Sequence, residues 1–187
     1  MRTIYFITGN MGKINEAKSI LSKINVKVIQ KNLGYPEIQA DSLEDVALFG
    51  AKHIQKKIDS TFILEDAGLF IEHLNGFPGV YSAYVYYCIG CSGILNLLDG
   101  VDANIRKACF RSVLTYVEPN KKPHILIGEC HGKISTLEMG NQGFGYDPIF
   151  IPNGKTKTFA QMDTKEKNSI SHRGKSLEKL LDLLKDI

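Results

Sequence analysis

The first 71 residues alternate between strand-like and helix-like periodicity, and that alternation leaves few architectures open. Ile4-Tyr5-Phe6-Ile7 is a continuous apolar run of strand length. Residues 13–24 then place Ile14, Ala17, Leu21 and Ile24 on one helical stripe. A second short strand is expected over 26–30, followed by an irregular stretch with Gly34 and Pro36 as breakers. Residues 43–57 read as a helix with Val46, Phe49 and Ile54 on its apolar side. Ser42 stands at its N-cap and Asp45 at the third helical position, an acidic variant of the capping box. Residues 62–64 form the next apolar run. Strand, helix, strand, helix, strand predicts an α/β fold rather than an all-α one.

Beyond Gly79, residues 80–98 read as mostly helical, broken near Gly90 and Gly93 and closed by Asp99-Gly100. Residues 107–117 and 124–134 read as an antiparallel hairpin around the polar loop 118–123. A short strand is expected at 149–151. A last helix is expected at 171–186, with Leu177, Leu180, Leu181 and Leu184 on its buried face. No internal repeat and no long linker divides the 187 residues, so a single domain over 1–187 is expected. Hydrophobic content of 43% and charged content of 23% are those of an ordinary soluble protein. A formal net charge of +3 is too mild to imply nucleic-acid binding. No run reaches the ~18 apolar residues of a spanning helix, and the N-terminal apolar stretch is too short for a signal peptide. The expected setting is cytoplasmic, away from membrane and nucleic acid.

Four cysteines, Cys88, Cys91, Cys109 and Cys130, include one CxxC. With Cys109 or Cys130 and His131 it could make a zinc site, but a second close pair is missing. Scattered reduced thiols are the expected state.

Residues 62–83 carry the densest chemistry. An apolar run delivers adjacent carboxylates, Glu65 and Asp66, followed by Ala67 and Gly68. Strand alternation sends the two acids to opposite faces, so one of them serves any given site. A carboxylate at the mouth of a buried strand can hold a divalent metal or orient water; a surface turn with solvated acids is the alternative. The turn Thr8-Gly9-Asn10-Met11-Gly12-Lys13 lies between a strand and a helix, where backbone N–H groups and Lys13 favour an anion. Ser171-His172-Arg173-Gly174 opens the last helix. It puts two potential cations in the first turn, against the helix dipole. Gly143-Phe144-Gly145-Tyr146-Asp147 sets two aromatics beside glycines that let a flat ligand approach, or is a tight turn capped by Asp147. Between residues 152 and 179, seven Lys/Arg stand against three acids, which suits an anionic ligand or a solvated face.

Taken together, TGNMGK (8–13), EDAGLFIEHLNGFPGVYSA (65–83), GFGYDPIF (143–150) and EKNSISHRGKSLEKL (166–180) resemble the inosine triphosphate pyrophosphatase family. The pieces occur in family order over nearly the whole chain. The resemblance implies an elongated α/β fold of two lobes with a mixed sheet and a central cleft. It implies a Mg2+-dependent homodimeric enzyme, with Mn2+ as a substitute metal. The reaction is hydrolysis of non-standard purine nucleoside triphosphates (ITP, dITP, XTP) to the monophosphate and pyrophosphate. It assigns Asp66 as the catalytic acid and Glu37 with Asp66 to the metal. It assigns Thr8, Gly9, Asn10, Met11, Gly12, Lys13 and Ala67 to substrate. Phe144, Gly145, Tyr146 and Asp147 match the nucleoside-binding turn. Lys167, His172 and Arg173 match further substrate contacts, the last two near the base's 6-oxo group. The chain departs from the family at Ala67 (often Ser), at Gly50 (often Lys) and at Tyr84 (often Arg or Lys). The tyrosines at 81, 84, 86 and 87 exceed what one helix face needs, and are expected to contribute to the dimer contact. A Maf-type nucleotide pyrophosphatase and a non-catalytic nucleotide sensor are the competing readings.

Overall fold

The computed structural model describes residues 2–36 and 38–185. Glu37, expected as a metal ligand, lies outside the described residues.

The alternation read from the sequence is present. β1 (Arg2–Ile7), α1 (Met11–Leu21), β2 (Val26–Lys31), α2 (Leu43–Gln55) and β3 (Phe62–Ile71) follow in order. β1 pairs in parallel with β2, from Arg2 opposite Val26 to Ile7 opposite Lys31. It pairs in parallel with β3 at Tyr5 opposite Phe62. Parallel neighbours need crossover connections, which α1 and α2 supply. After β4 (Pro78–Gly79) come α3 (Ser82–Leu97), β5 (Lys107–Val117), β6 (His124–Ile134), β7 (Phe150–Pro152), α4 (Thr164–Ile170) and α5 (His172–Lys185). The sheet order is β2-β1-β3-β5-β6-β7, with β4 on β3. Among the described residues no helix is long and apolar enough to cross a membrane.

Several boundaries differ from those expected. α1 starts at Met11 rather than 13, because Asn10 is its N-cap and accepts from the Lys13 backbone N–H at 3.2 Å. Ser42 caps α2 as expected, accepting from the Asp45 N–H at 3.1 Å; its hydroxyl also donates to the Asp45 carboxylate at 2.6 Å. β3 does not end at its acids. It runs for 10 residues through Glu65 and Asp66, so these carboxylates lie inside the strand and not at its mouth. The last short strand starts one residue late, after a 3-10 turn at Asp147–Ile149. α4 was not expected; Asp163 caps it, accepting from Glu166 N–H at 2.7 Å. α3 bends at Gly90, whose φ is 62°.

The chain divides into two compact units. The first comprises Met1–Asp66, Ser112–Gly128 and His172–Ile187; the second comprises Ala67–Arg111 and Glu129–Ser171. The first unit buries Ile4 and Phe6 of β1, Ile14 and Ala17 of α1, Tyr116 of β5, and Leu177, Leu180 and Leu184 of α5. Gly128 lets β6 run beneath the first turn of α5. A Cβ there would collide with the His172 backbone and come within 2.6 Å of the Ser176 nitrogen. The second unit centres on Phe110, Phe150 and Phe159; Phe110 meets Phe150 edge-on with centroids 4.7 Å apart. In this unit Tyr81, the N-cap of α3, and Tyr84, Tyr86 and Tyr87 on α3 are exposed, Tyr87 by 89%.

Candidate active site

The first unit holds Thr8–Lys13 of the anion turn, Asp66, and the His172-Arg173 pair. The turn folds on itself: Thr8 Oγ1 accepts from the Asn10 N–H at 3.0 Å, and Gln30 donates to the Thr8 carbonyl at 3.0 Å. Gly9, Asn10 and Met11 are exposed there, and Gly12 and Lys13 lie in the first turn of α1.

Lys13 is not aimed along the turn. Its Nζ donates to the Glu65 backbone oxygen at 2.7 Å and lies 3.2 Å from Glu65 Oε2. Glu65 is the hub of a buried polar cluster. Arg173 Nε donates to Oε2 at 2.9 Å and the Ser112 hydroxyl donates to Oε1 at 2.7 Å. Arg173 Nη1 donates to Glu16 at 2.6 Å. Ser112 and Ser176 share a further hydrogen bond of 2.9 Å, and Ser176 donates to the Arg173 carbonyl at 3.0 Å. Burial would raise the Glu65 pKa. The charges of Arg173 and Lys13 and the Arg173 hydrogen bond outweigh it and hold the carboxyl well below the usual range. Burial would lower the Arg173 pKa, but Glu65 and Glu16 raise it above its ordinary value.

The first turn of α5 carries its cation against the helix dipole because two carboxylates neutralise it from β3 and α1. His172 beside it is buried to 3% exposure. Glu16, Glu65, Ser112 and Ser176 were not expected as members of this cluster. One signal was available: Glu16 falls beside the apolar stripe of α1, where an uncompensated carboxylate would be costly.

Asp66 takes the opposite side of β3 from Glu65, as alternation requires. It is half-buried, and the Tyr35 hydroxyl lies 3.1 Å from Oδ1 and 3.2 Å from Oδ2. Its two hard oxygen donors are of the kind Mg2+ takes, since that ion is commonly held by one or two carboxylates plus substrate phosphates. Asp66 therefore fits such an ion.

The second unit holds Ala67, Phe144, Gly145, Tyr146, Asp147 and Lys167. Lys167 and Asp147 form a buried pair at 2.7 Å, with side chains 5% and 4% exposed. The Phe144 N–H donates to the same Asp147 oxygen at 2.8 Å. Gly143, at φ 75°, is needed here because a Cβ would run into the Asp147 carboxylate. Lys167 Nζ also sits 4.9 Å from the Phe144 ring centroid. Tyr146 is not a free stacking platform. Its ring is buried to 3% exposure, its hydroxyl donates to the Ser82 carbonyl at 3.0 Å, and it meets Tyr86 edge-on at 5.2 Å. Phe144, half-buried, is the aromatic of the turn that is partly open.

All four cysteines are free thiols, and Cys91 donates to the Gly145 carbonyl at 3.5 Å. Burial, with Glu138 and Asp147, pushes the Cys91 thiol up to about 12. Among the described residues, Cys109, Glu129 and His131 offer ligand atoms within 4.8 Å of one another. Cys88 and Cys91 take no part in that group, and Arg111 Nε already lies 3.3 Å from the Glu129 carboxylate.

Residues 4–183 match the protein family described as the Ham1 family. A dITP/XTP pyrophosphatase of Thermococcus kodakarensis is 52% identical over 181 residues, covering 97% of this chain and 96% of the relative. One of Methanopyrus kandleri is 49% identical, covering 98% and 96%. The solved structure of a HAM1 protein from Coxiella burnetii superposes with a TM-score of 0.85 at 31% identity, covering all of both chains.

Proposed function

The chain belongs to the Ham1 family, and on that premise we propose that it hydrolyses non-standard purine nucleoside triphosphates (dITP, ITP, XTP) to the monophosphate and pyrophosphate. The observation that carries this reading is Asp66. A half-buried carboxylate held in place by a tyrosine hydroxyl, on the strand face opposite a neutralised acid, is placed to take a proton from water. The names of the relatives, dITP/XTP pyrophosphatases at 52% and 49% identity, support the substrate class.

In the proposed reaction a water oxygen attacks the α-phosphorus. The bond from that phosphorus to the bridging oxygen breaks, and pyrophosphate leaves with the bond's electrons. The proton of the water passes to Asp66. General-base help of this kind contributes roughly 10²–10⁴ in rate. Mg2+, held by Asp66 and Glu37 when bound, supplies charge neutralisation at the phosphates. Lys13 has three N–H donors, two of which are directed to Glu65. The third serves a phosphate oxygen, beside the exposed N–H groups that open α1.

Base selection is assigned to donors. An oxygen at purine position 6 accepts from Arg173 or His172, whereas the amino group of adenine would face a donor with a donor. Glu65 and Glu16 set the orientation of that guanidinium. In the second unit, the Lys167–Asp147 pair sets the 143–147 turn and with it Phe144, the ring assigned to the nucleoside. The proposal includes a homodimer to which the exposed tyrosines of α3 contribute, acting on the free nucleotide pool of the cytoplasm. Sedimentation as a monomer would remove the dimer.

The test is a screen of ITP, dITP, XTP, GTP and ATP with Mg2+, reading pyrophosphate against orthophosphate. The expected result is pyrophosphate from the first three in preference to ATP. Orthophosphate as the product, or binding without turnover, would overturn the reading; the second result is what a sensor would give.

A further inference from the structure

We propose that Tyr35, seated on Gly50, is the positioning residue of Asp66 and keeps that carboxylate aimed. The inference rests on Asp66 being the water-activating group, and it adds two residues to that group's support.

Three observations carry it. First, the Tyr35 hydroxyl is nearly equidistant from the two Asp66 oxygens, at 3.1 and 3.2 Å. One donor straddling both oxygens restricts rotation of the carboxylate about its last bond. Second, the ring occupies the space a side chain at position 50 would fill. A Cβ on Gly50 would stand 2.8 Å from Tyr35 Cε2, 3.0 Å from Cδ2 and 3.1 Å from Cζ. Carbon atoms in contact stay about 3.5–4.0 Å apart, so any larger residue must push the ring away. Third, Gly50 is buried in the interior of α2. Glycine is among the poorest helix formers, and its φ there is not one that requires glycine. Close approach of the Tyr35 ring is what the missing side chain allows.

Tyr35 itself comes from a stretch without regular structure, between Gly34 at φ 58° and Pro36. α2 therefore acts as the seat that gives this loop tyrosine a defined position. The chain uses a helix glycine to aim a tyrosine, and the tyrosine to aim an aspartate on β3.

The test uses the full-length protein with Mg2+ and dITP. Tyr35→Phe removes the hydroxyl and keeps the ring. It is expected to lower kcat about 10-fold, the size of one lost hydrogen bond to a charged group, with KM changed less than twofold. A purely structural tyrosine would not lower kcat while leaving KM in place. Gly50→Ala places a better helix former on α2, so folding is expected to survive, yet kcat is expected to fall in the same direction. In the Tyr35→Phe background, Gly50→Ala is expected to cost no further kcat, since no hydroxyl remains to be displaced.

Unchanged kcat in Tyr35→Phe would overturn the inference, as would equal costs of Gly50→Ala in the two backgrounds. If Tyr35→Phe does not fold, Gly50→Ala with normal kcat overturns it instead. Asp66→Asn separates the two levels. Full activity in that variant removes Asp66 from the reaction and the inference with it. An inactive Asp66→Asn beside a normal Tyr35→Phe removes the inference alone.

Discussion

Replacing Glu65 by Ala tests the buried cluster of the first unit most directly. Lys13 and Arg173 meet Glu16 and Glu65 there. The Glu65 side chain is fully buried, and it accepts from Arg173 at 2.9 Å and from Ser112 at 2.7 Å. Its loss leaves an unbalanced positive charge around Arg173, whose side chain is 3% exposed. Breaking a buried pair by removing one partner costs about 3–5 kcal/mol, because the remaining charge stays desolvated. Most of that arises at Arg173; Lys13, at 19% exposure, can relax toward water. Urea unfolding at pH 7, compared with the parent protein, reads the loss directly. A loss under about 1 kcal/mol, the value of a water-screened surface pair, would refute the reasoning. The pH dependence gives a second reading. Because the folded Glu65 pKa lies below its ordinary value of 4.5, its contribution is fully present above about pH 4.5. That contribution is lost as pH falls from there toward the folded value. The parent protein is expected to lose stability across that acid range, and Glu65→Ala to lack that share of the loss.

Three further outcomes are expected. Arg173→Ala should lower the ratio of ITP to ATP turnover and also destabilise the fold by the buried-pair amount of about 3–5 kcal/mol; an unchanged ratio in kinetics below the melting range counts against its role at the base. Gly143→Ala should lower the melting temperature, by at least about 1 kcal/mol in stability, because φ 75° is unfavourable for Ala and its Cβ would displace Asp147; a thermal melt matching the parent would contradict this. At pH 8, iodoacetamide should label exposed Cys88 well before Cys91, whose thiol pKa near 12 keeps it protonated; mass spectrometry showing equal rates would argue that Cys91 is not buried in solution.

Local order was legible wherever a run was long and chemically uniform. The hairpin strands over 107–117 and 124–134 match β5 and β6 residue for residue, because each is a long run bounded by a loop holding Pro119 and Pro123. Ser42 and Asp45 announced the start of α2 through capping chemistry that acts within three residues. Other elements were hidden. α4 spans only 7 residues, too few for a helical stripe to stand out. β3 looked interrupted at Glu65 and Asp66 because two adjacent carboxylates imply water, and nothing nearby in the chain says otherwise.

The amino-acid order thus determined the alternating elements, the turns and caps between them, and the set of motifs that mark the family, since all of these depend on interactions over a few residues. Which carboxylate is neutralised was decided by the tertiary structure alone. Glu65 finds Ser112 across 47 residues and Arg173 across 108, and Arg173 finds Glu16 across 157. Asp66 finds Tyr35 across 31 residues, over a glycine on α2. A charge is inexpensive to bury only beside its counter-charge, and the chain brings those partners together only when the sheet and helices have assembled.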